Sequence, residues 1–324
     1  MITTDLFNET LINPVTKGAD KLLIVSGYAT SAMAFHHLES ISEINKSVEI
    51  ELIVGMSIQD GLSLTNHKGF QKLSNDLVNF QCSYLAQRPP VHSKVYVWLK
   101  NNSPFVSFTG SANYTQNAFL RVQREILTEC DAKAGLDYFQ SLTAETIYCD
   151  HQDAENFVQV YRERQKLVKS RTQVVAEKEE FLEEVPDLEN LSTLNKVCVS
   201  FLDRNGDLPQ TSGLNWGQRK GREPNQAYIK LPAEVYHTEF FPERTIHFTV
   251  LTDDDKVLIC TRAQDNGKAI HTPHNNSLLG EYFRNRIGVP NGNAVQTNDL
   301  VAYGRHDVCF YKIDDETYFM DFSV

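Results

Sequence analysis

Apolar runs alternate with helix-like segments through the first half of the chain. Lys21–Ser26 and Val48–Val54 are short, mainly apolar runs of the kind that form buried strands, and Lys68–Val78 has the periodicity of a helix. This alternation predicts an α/β domain, in which helices cover a sheet, over residues 1–150. Tyr28 follows the first strand, at the carboxyl end where such sheets place ligands, although aromatic residues at the edge of a core also occupy this position.

The pattern changes near residue 151. Residues 154–184 are rich in Glu, Lys, Arg and Gln, contain no glycine, and are followed by Pro186. This composition predicts a helical linker over residues 151–190 with a charged, solvated face. A helix that dimerises is the alternative.

Short strands dominate from Leu191 onward. Many short strands with one or two short helices predict a barrel-like β domain over residues 191–324, with one helix at Leu278–Arg286. The predicted strands are Val197–Leu202, Thr245–Thr252, Val257–Thr261, Asn298–Tyr303, Val308–Ile313 and Thr317–Phe322.

The composition is that of a soluble globular protein. The chain has 324 residues, enough for two domains, of which 41% are hydrophobic and 23% charged. No apolar run is long enough to span a membrane, and the start lacks the features of a signal peptide, so we expect a cytoplasmic protein. The six cysteines form no Cys-x-x-Cys pair, and we therefore expect reduced thiols, with neither a zinc site nor a disulfide framework.

A histidine and a lysine stand at the mouth of a predicted strand. Pro90–Leu99 has the pattern of a strand, and His92 and Lys94, two residues apart, should project from one face of it. A His-x-Lys pair on a strand is common and means little by itself. The segment that follows it makes the pair informative.

A turn of small polar residues follows the next apolar strand, Phe105–Thr109. Gly110 permits a tight turn, and Ser111 and Asn113 come directly after it. The two segments together place imidazole, ammonium, hydroxyl and amide groups at one edge of a sheet. Histidine can attack phosphorus, lysine can neutralise the non-bridging oxygens, and the hydroxyl and amide can donate hydrogen bonds, so this set suits a phosphodiester.

His-x-Lys followed by Gly-Ser-x-Asn resembles the half-motif of the phospholipase D superfamily, which implies a mixed sheet flanked by helices. Members of this superfamily hydrolyse phosphodiesters through a phosphohistidine and need no metal. Leu99 stands where the usual half-motif has an aspartate. A restriction-endonuclease branch lacks that aspartate and uses a downstream glutamate, whose place Glu125 takes here. The alternative for Glu125 is an ordinary surface carboxylate on a strand. The implied catalytic residues are His92, Lys94, Ser111, Asn113 and Glu125, with no cofactor and no metal.

Two polar segments between the later strands carry residue types that read DNA. The net charge of −11 argues mildly against nonspecific binding to nucleic acid but does not exclude a local basic cleft. Arginine suits guanine, Asn and Gln suit adenine, and lysine binds phosphate. The segments are Ser212–Tyr228 and Arg262–His274. The candidate DNA contacts are Asn215, Trp216, Gln218, Arg219, Lys220, Arg222, Asn225, Gln226, Arg262, Gln264, Asn266 and Lys268.

Ser-Gly-Leu-Asn-Trp-Gly-Gln-Arg, followed by Asn-Gln-Ala-Tyr-Ile and Leu-Pro, resembles the B3-like DNA-recognition domain. That domain is fused to phospholipase-D-type nuclease domains in the NgoFVII-type restriction endonucleases, where two arms grip the major groove. The resemblance covers nearly the whole chain, and the order of the domains matches. It implies that Ser212–Tyr228 is the first arm and Arg262–His274 the second.

The interpretation that unites these features is a type II-like restriction endonuclease, a site-specific deoxyribonuclease that acts on double-stranded DNA. Each chain has one His-Lys-Asn set, whereas the reaction needs two imidazoles, so we expect a homodimer that shares one site through the catalytic domains. A cognate methyltransferase and an ATPase or translocase subunit are further partners to consider, and no membrane is expected. The alternatives are a DNA-binding regulator with an inactive nuclease domain and a phospholipase D-type hydrolase of small phosphodiesters.

Overall fold

The computed structural model describes residues 1–120, 123–161 and 196–324, and its contacts divide these into two compact units. The first unit holds the described residues up to 161 and the second holds residues 196–324. Of the predicted linker, residues 151–161 contain the four-residue helix Ala154–Phe157 and the short strand Val160–Tyr161. The rest of the linker, including the alternative of a dimerising helix, lies outside the described residues.

A mixed seven-stranded sheet forms the first unit, in the order β7-β6-β5-β1-β2-β4-β8. β1, β2 and β4 are parallel, while β5, β6, β7 and β8 pair antiparallel with their neighbours. The strands are β1 (Lys21–Ser26), β2 (Glu49–Val54), β3 (Leu62–Ser63), β4 (Phe80–Leu85), β5 (Lys94–Lys100), β6 (Ser103–Gly110), β7 (Leu127–Cys130), β8 (Thr146–Tyr148) and β9 (Val160–Tyr161), of which β3 and β9 form a separate parallel pair.

Helices cover both faces of this sheet, because its central strands are apolar on both sides. Alternate residues of β1 and β5, such as Leu23 and Val97, pack against Phe139. Residues of the opposite parity include Trp98, whose indole N–H donates to Thr10 O at 2.8 Å. The helices are Phe7–Ile12, which is a π-helix, α1 (Asn13–Thr16), α2 (Ser31–Ser42), α3 (Ser57–Asp60), α4 (Leu64–Asp76), α5 (Gln116–Leu120), α6 (Ala132–Thr143) and α7 (Ala154–Phe157).

The second unit is a seven-stranded sheet that curls into a nearly closed barrel, in the order β10-β15-β16-β12-β13-β14-β11. β12 and β16 are parallel, and the other neighbours are antiparallel. Its core is aromatic: the Phe241 ring contacts those of Phe248, Phe310 and Tyr318, and Phe248 also contacts Tyr318. The elements are β10 (Lys196–Ser200), β11 (Ile229–Lys230), α8 (Ala233–Tyr236), β12 (Phe248–Thr252), β13 (Val257–Ala263), β14 (Ala269–His271), α9 (Ser277–Ile287), α10 (Thr297–Tyr303), β15 (Asp307–Lys312) and β16 (Thr317–Asp321), with short 3₁₀ helices at Gly213–Gln218 and Asp265–Gly267.

Two expectations for the second unit are wrong. Asn298–Tyr303 is part of helix α10 rather than a strand, because Gln296 and Asp299 form a capping box at its start and Gly304 ends it in the left-handed conformation. Cys198 and Cys309 are not reduced thiols but a disulfide, since they lie opposite each other in β10 and β15. Within the described residues, Cys198, Cys309 and Asp307 form a cluster of side chains of the kinds that bind metal ions. Both cysteine sulfurs are joined in the disulfide, so neither is a free thiolate ligand.

None of the helices within the described residues combines the length and the apolar character that a membrane crossing requires.

Candidate nuclease site and DNA-binding arms

The ends of three strands bring the predicted catalytic groups to one edge of the first sheet. Lys94 begins β5 opposite Ser26, the last residue of β1, and β6 ends nearby at Gly110. His92 lies two residues before β5 and is exposed, so the predicted strand starts later than expected. The residues just before β5 do not continue its pairing with β1, because the Val91 N–H donates to Gly55 O at 3.1 Å instead.

His92 and Lys94 meet although they do not share a strand face. Lys94 Nζ lies 3.2 Å from His92 Nε2 and donates to the His92 carbonyl oxygen at 2.7 Å. An ammonium can only donate, so Nε2 is the acceptor and the proton of a neutral imidazole sits on Nδ1. In this arrangement Nε2 is unprotonated, and its lone pair accepts from the Lys94 ammonium at the sheet edge.

Lys94 is an unusual lysine because only 6% of its surface is exposed. Burial lowers the pKa of its ammonium, and the negative charge of Glu125 opposes that effect. The Lys94 carbonyl accepts from Thr109 Oγ1 at 2.9 Å, which ties the start of β5 to the end of β6.

Ser111 and Glu125 form one unit beside the lysine. The Ser111 hydroxyl donates to Glu125 Oε2, and Gln123 Nε2 donates to Oε1 at 2.6 Å. Ser111 Oγ in turn accepts from the Ile126 N–H at 3.0 Å. Neither hydrogen bond of this carboxylate involves His92, and its negative charge raises the pKa of Lys94.

The backbone just after β1 orients the side chain of Asn113. Its Oδ1 accepts from the Tyr28 N–H at 3.2 Å. Because the carbonyl side of the amide is used in this way, the NH₂ group is the side left to donate to a ligand. The site therefore offers an imidazole lone pair, a buried cation and an amide donor, which are complementary to a phosphodiester.

Sequence reasoning missed Gly27 and Asp60 and left the role of Tyr28 open. A Cβ built at Gly27 would lie 2.9 Å from His92 Cδ2, so a larger residue would displace the imidazole. The Tyr28 ring meets His92 edge to face, and its hydroxyl bonds to Asp60. The one sequence signal for this group is that Gly27 and Tyr28 directly follow a buried strand.

Three of the first arm's seven polar candidates serve the domain itself. Asn215 is fully buried, donates to Pro209 O and Val295 O, and accepts from the Val295 N–H. Asn225 is also buried and accepts from the Gly292 N–H at 2.6 Å. Gln218 donates to two backbone carbonyls. These amides are satisfied within the fold.

The exposed part of the first arm is basic and aromatic. The Arg222 guanidinium lies over the Trp216 ring, 3.8 Å from its centroid, and donates to Gln226 Oε1 at 3.1 Å. Arg219 and Lys220 are exposed, and Arg219 donates through Nε to Thr211 O, which leaves the outer nitrogens of its fork to other partners. This stretch is the exposed, basic part of the arm.

In the second arm, Arg262 is structural. Its guanidinium donates to Tyr236 O at 2.6 Å and to Gly267 O at 3.0 Å. Its terminal nitrogens also make longer hydrogen bonds to three other backbone carbonyls. The turn wraps around it, with exposed Gln264 and Asn266 both at positive φ. Lys268 is half-buried near the Tyr236 ring.

The most buried cation of the second unit was not among the candidates. Arg284 of α9 is fully buried and donates to carbonyl oxygens of the first arm, including those of Leu214 and Pro224, and to Asn293 O. Burial lowers its pKa. Its part is to hold the backbone of the arm in place, and nothing in the sequence around it distinguishes it from a surface arginine.

Two family models match this sequence. Residues 4–156 match the NgoFVII restriction endonuclease N-terminal PLD domain, and residues 189–314 match the NgoFVII C-terminal B3-like DNA-binding domain. The chain belongs to the NgoFVII restriction endonuclease family. Membership confirms the expected folds of both domains and makes the chain a site-specific deoxyribonuclease that hydrolyses phosphodiesters of double-stranded DNA.

Solved structures similar to the chain align with about half of it. NucT from Helicobacter pylori has a TM-score of 0.31 and 15% identity, covering 45% of this chain and 96% of its own. Nuc from Salmonella typhimurium, a phospholipase D family member, has a TM-score of 0.31 and 13% identity, covering 43% and 87%. Phosphatidylserine synthase from Haemophilus influenzae Rd KW20 has a TM-score of 0.35 and 17% identity, covering 54% and 43%. None of the curated proteins compared matches the chain significantly.

Proposed function

We propose that this endonuclease cleaves DNA through a phosphohistidine formed on His92, without a metal ion. The observation that carries the proposal is the pairing of His92 Nε2 with the Lys94 ammonium at 3.2 Å. It leaves an unprotonated nitrogen next to a cation, where a phosphodiester would bring its negative charge. An exposed imidazole beside a buried lysine is suited to attack on phosphorus.

In the first step, Nε2 of His92 attacks phosphorus and the bond to the leaving oxygen breaks. Lys94 and the Asn113 NH₂ group stabilise the charge on the non-bridging oxygens. The partner subunit's His92, in its protonated imidazolium form, gives a proton to the leaving oxygen and becomes neutral. Water, deprotonated by that same imidazole, then attacks the phosphohistidine, which restores His92 and releases the phosphate end of the DNA.

The need for two imidazoles supports a homodimer with one site. Among the described residues, the catalytic edge offers one histidine, and attack and leaving-group protonation need one imidazole each. A two-fold axis through this edge would supply the second His92 together with a second Lys94 and Asn113. The site is then complete in the dimer alone, and Glu125 would orient His92 through the assembled site.

The charges that the site presents support a reaction that needs no metal ion. In metal-dependent nucleases, carboxylates hold cations that neutralise the phosphate and activate water. Here Lys94 supplies the positive charge and His92 the nucleophile, so the chemistry can be completed by protein groups. Glu125 is already engaged by Ser111 and Gln123.

Sequence selection would come from the exposed parts of the two arms. Arg219 and Arg222 carry planar forks that match guanine, and Lys220 suits phosphate. Gln226, Gln264 and Asn266, together with Trp216 and Lys268, complete the surface we assign to DNA. Asn215, Asn225, Gln218 and Arg262 position the arms instead. A cognate methyltransferase and an ATPase or translocase subunit would be further partners.

The test is incubation of the full-length protein with plasmid DNA in EDTA, beside His92→Ala. We expect discrete fragments from the wild type and none from the variant, which should still bind the same duplex. Cleavage by His92→Ala at the wild-type rate would overturn the assignment of the nucleophile. Cleavage that EDTA stops and magnesium restores would overturn metal independence.

A further inference from the structure

Tyr28 lies between two groups that the proposed reaction uses. Its ring meets the His92 imidazole edge to face, with centroids 5.7 Å apart and planes at 78°. Its backbone N–H donates to Asn113 Oδ1 at 3.2 Å. One residue therefore contacts both the nucleophile and the amide that faces the phosphate.

A second residue holds the ring of Tyr28 in place. The Tyr28 hydroxyl donates to Oδ2 of Asp60, the last residue of α3, at 2.5 Å. That bond is the main cause that raises the pKa of Tyr28 to about 12. A phenol is protonated at neutral pH even at its ordinary pKa, so the hydroxyl is the donor. The ring needs such an anchor because it is 42% exposed.

The Tyr28 ring borders an open cavity into which it has room to turn. Tyr28 lines a cavity of about 170 Å³, together with Thr30, Ser63, Asn66 and Tyr161. A tyrosine without its hydrogen bond could turn into this cavity and leave the imidazole. On the His92 side, the missing side chain of Gly27 provides the room that the imidazole occupies.

We propose that Tyr28 is a positioning residue for His92 and that Asp60 anchors its ring. The inference rests on the proposed phosphohistidine function. His92 precedes its strand and is exposed, so its side chain is not fixed by the sheet. Contact with the Tyr28 ring keeps Nε2 in line with the phosphate, and a misplacement of ~1 Å at a reacting group can cost about 10²-fold in rate.

The test compares single-turnover cleavage rates. Tyr28→Ala removes the ring, and we expect the rate to fall about 10- to 100-fold. Tyr28→Phe keeps the ring and loses the anchor, so it should recover most of the activity, with a loss of about 3- to 10-fold. Asp60→Ala should match Tyr28→Phe, and the double variant should be no slower than the slower single variant, because both remove the same bond.

The controls separate positioning from binding and from folding. Tyr148→Ala removes an exposed tyrosine of β8 outside the site and should cleave like the wild type. DNA affinity, measured in a His92→Ala background, should be unchanged in every variant. A loss seen only as weaker binding would make Tyr28 a DNA-stacking residue and overturn the proposal, as would additive losses or a fully active Tyr28→Ala. If His92→Ala itself cleaves normally, the proposed function fails, which is a separate outcome.

Discussion

Lys94 is the residue whose environment should be most visible in the pH dependence of cleavage. Burial at the start of β5 lowers its pKa, and Glu125 partly opposes that shift. The protonated ammonium is the form that neutralises phosphate oxygens, so activity should be lost as pH rises through the pKa of Lys94. That loss should come at a lower pH than an exposed lysine would give.

In a plot of cleavage rate against pH, this loss at high pH forms the alkaline limb. Glu125→Gln should move that limb to still lower pH, because the carboxylate that raises the pKa of Lys94 is gone. Lys94→Arg should move it to higher pH, with a lower maximal rate, because a guanidinium stays protonated but does not match the ammonium's geometry. Single-turnover rates between neutral and alkaline pH measure both effects. Lys100→Arg, at the other end of β5, is the matched control and should leave the limb in place. A limb that stays in place in both site variants would mean that another group sets it.

At the scale of elements, His37 joins three parts of the first unit. It belongs to α2, its Nδ1 lies 2.8 Å from the Tyr114 hydroxyl, and its Nε2 lies 3.1 Å from Leu11 O. Complete burial lowers its pKa to about 3. The unfolded chain therefore binds a proton that the folded chain does not, and stability should fall as pH drops from about 6.5 toward 3.

This effect predicts a slope of up to about 1.4 kcal/mol per pH unit in the free energy of unfolding of the first unit. His37→Gln keeps a hydrogen-bonding side chain without the titration and should reduce the slope. Denaturant unfolding between pH 4 and 7 measures it, in a Trp216→Phe background so that Trp98 reports on the first unit alone. The exposed His151→Gln is the control. An unchanged slope in His37→Gln would contradict the assignment.

The two DNA arms contain residues of opposite character, which one pair of variants separates. Lys220 is exposed, so Lys220→Ala should weaken binding to all duplexes alike and reduce the salt dependence by about one phosphate contact. Arg262 donates to several carbonyls, so Arg262→Ala should lower stability by about 2 kcal/mol or more. Binding titrations at two salt concentrations and denaturant unfolding decide the case. A stable Arg262→Ala protein with altered sequence preference would return Arg262 to the DNA contacts.

Elements formed by a local apolar run could be predicted from the sequence, whereas contacts between residues distant in the chain could not. β1 and β2 lie within a residue of their predicted bounds because their apolar runs are decisive. Asn298–Tyr303 has residues that favour strands, and the local caps outweigh them. Asn215 has the residue type of an adenine contact, but Val295, 80 residues away, satisfies its amide. Cys198 forms its disulfide with Cys309, 111 residues away, and the sequence pattern did not predict this pairing either. In the nuclease site, the sequence placed His92 near Lys94, which the structure shows 3.2 Å apart, but it did not reveal the contact between Tyr28 and His92.

At the scale of the whole molecule, the chain joins a phospholipase D-like nuclease domain, which in the proposed dimer contributes half of a site, to a DNA-binding domain. One half-site cannot supply both the nucleophile and the leaving-group acid, so dimerisation would be part of the chemistry rather than an addition to it. A shared site also predicts that only one histidine of each pair carries phosphate at any time.

The most direct measurement is to trap the covalent intermediate. Labelled target DNA is mixed with full-length protein in EDTA, quenched with denaturant during the first turnover, and the labelled peptide is identified by mass spectrometry. We expect label on His92, with at most one labelled chain per dimer, and none in His92→Ala. Label on another residue, label on both chains of a dimer, or cleavage without any covalent species would contradict the proposed mechanism.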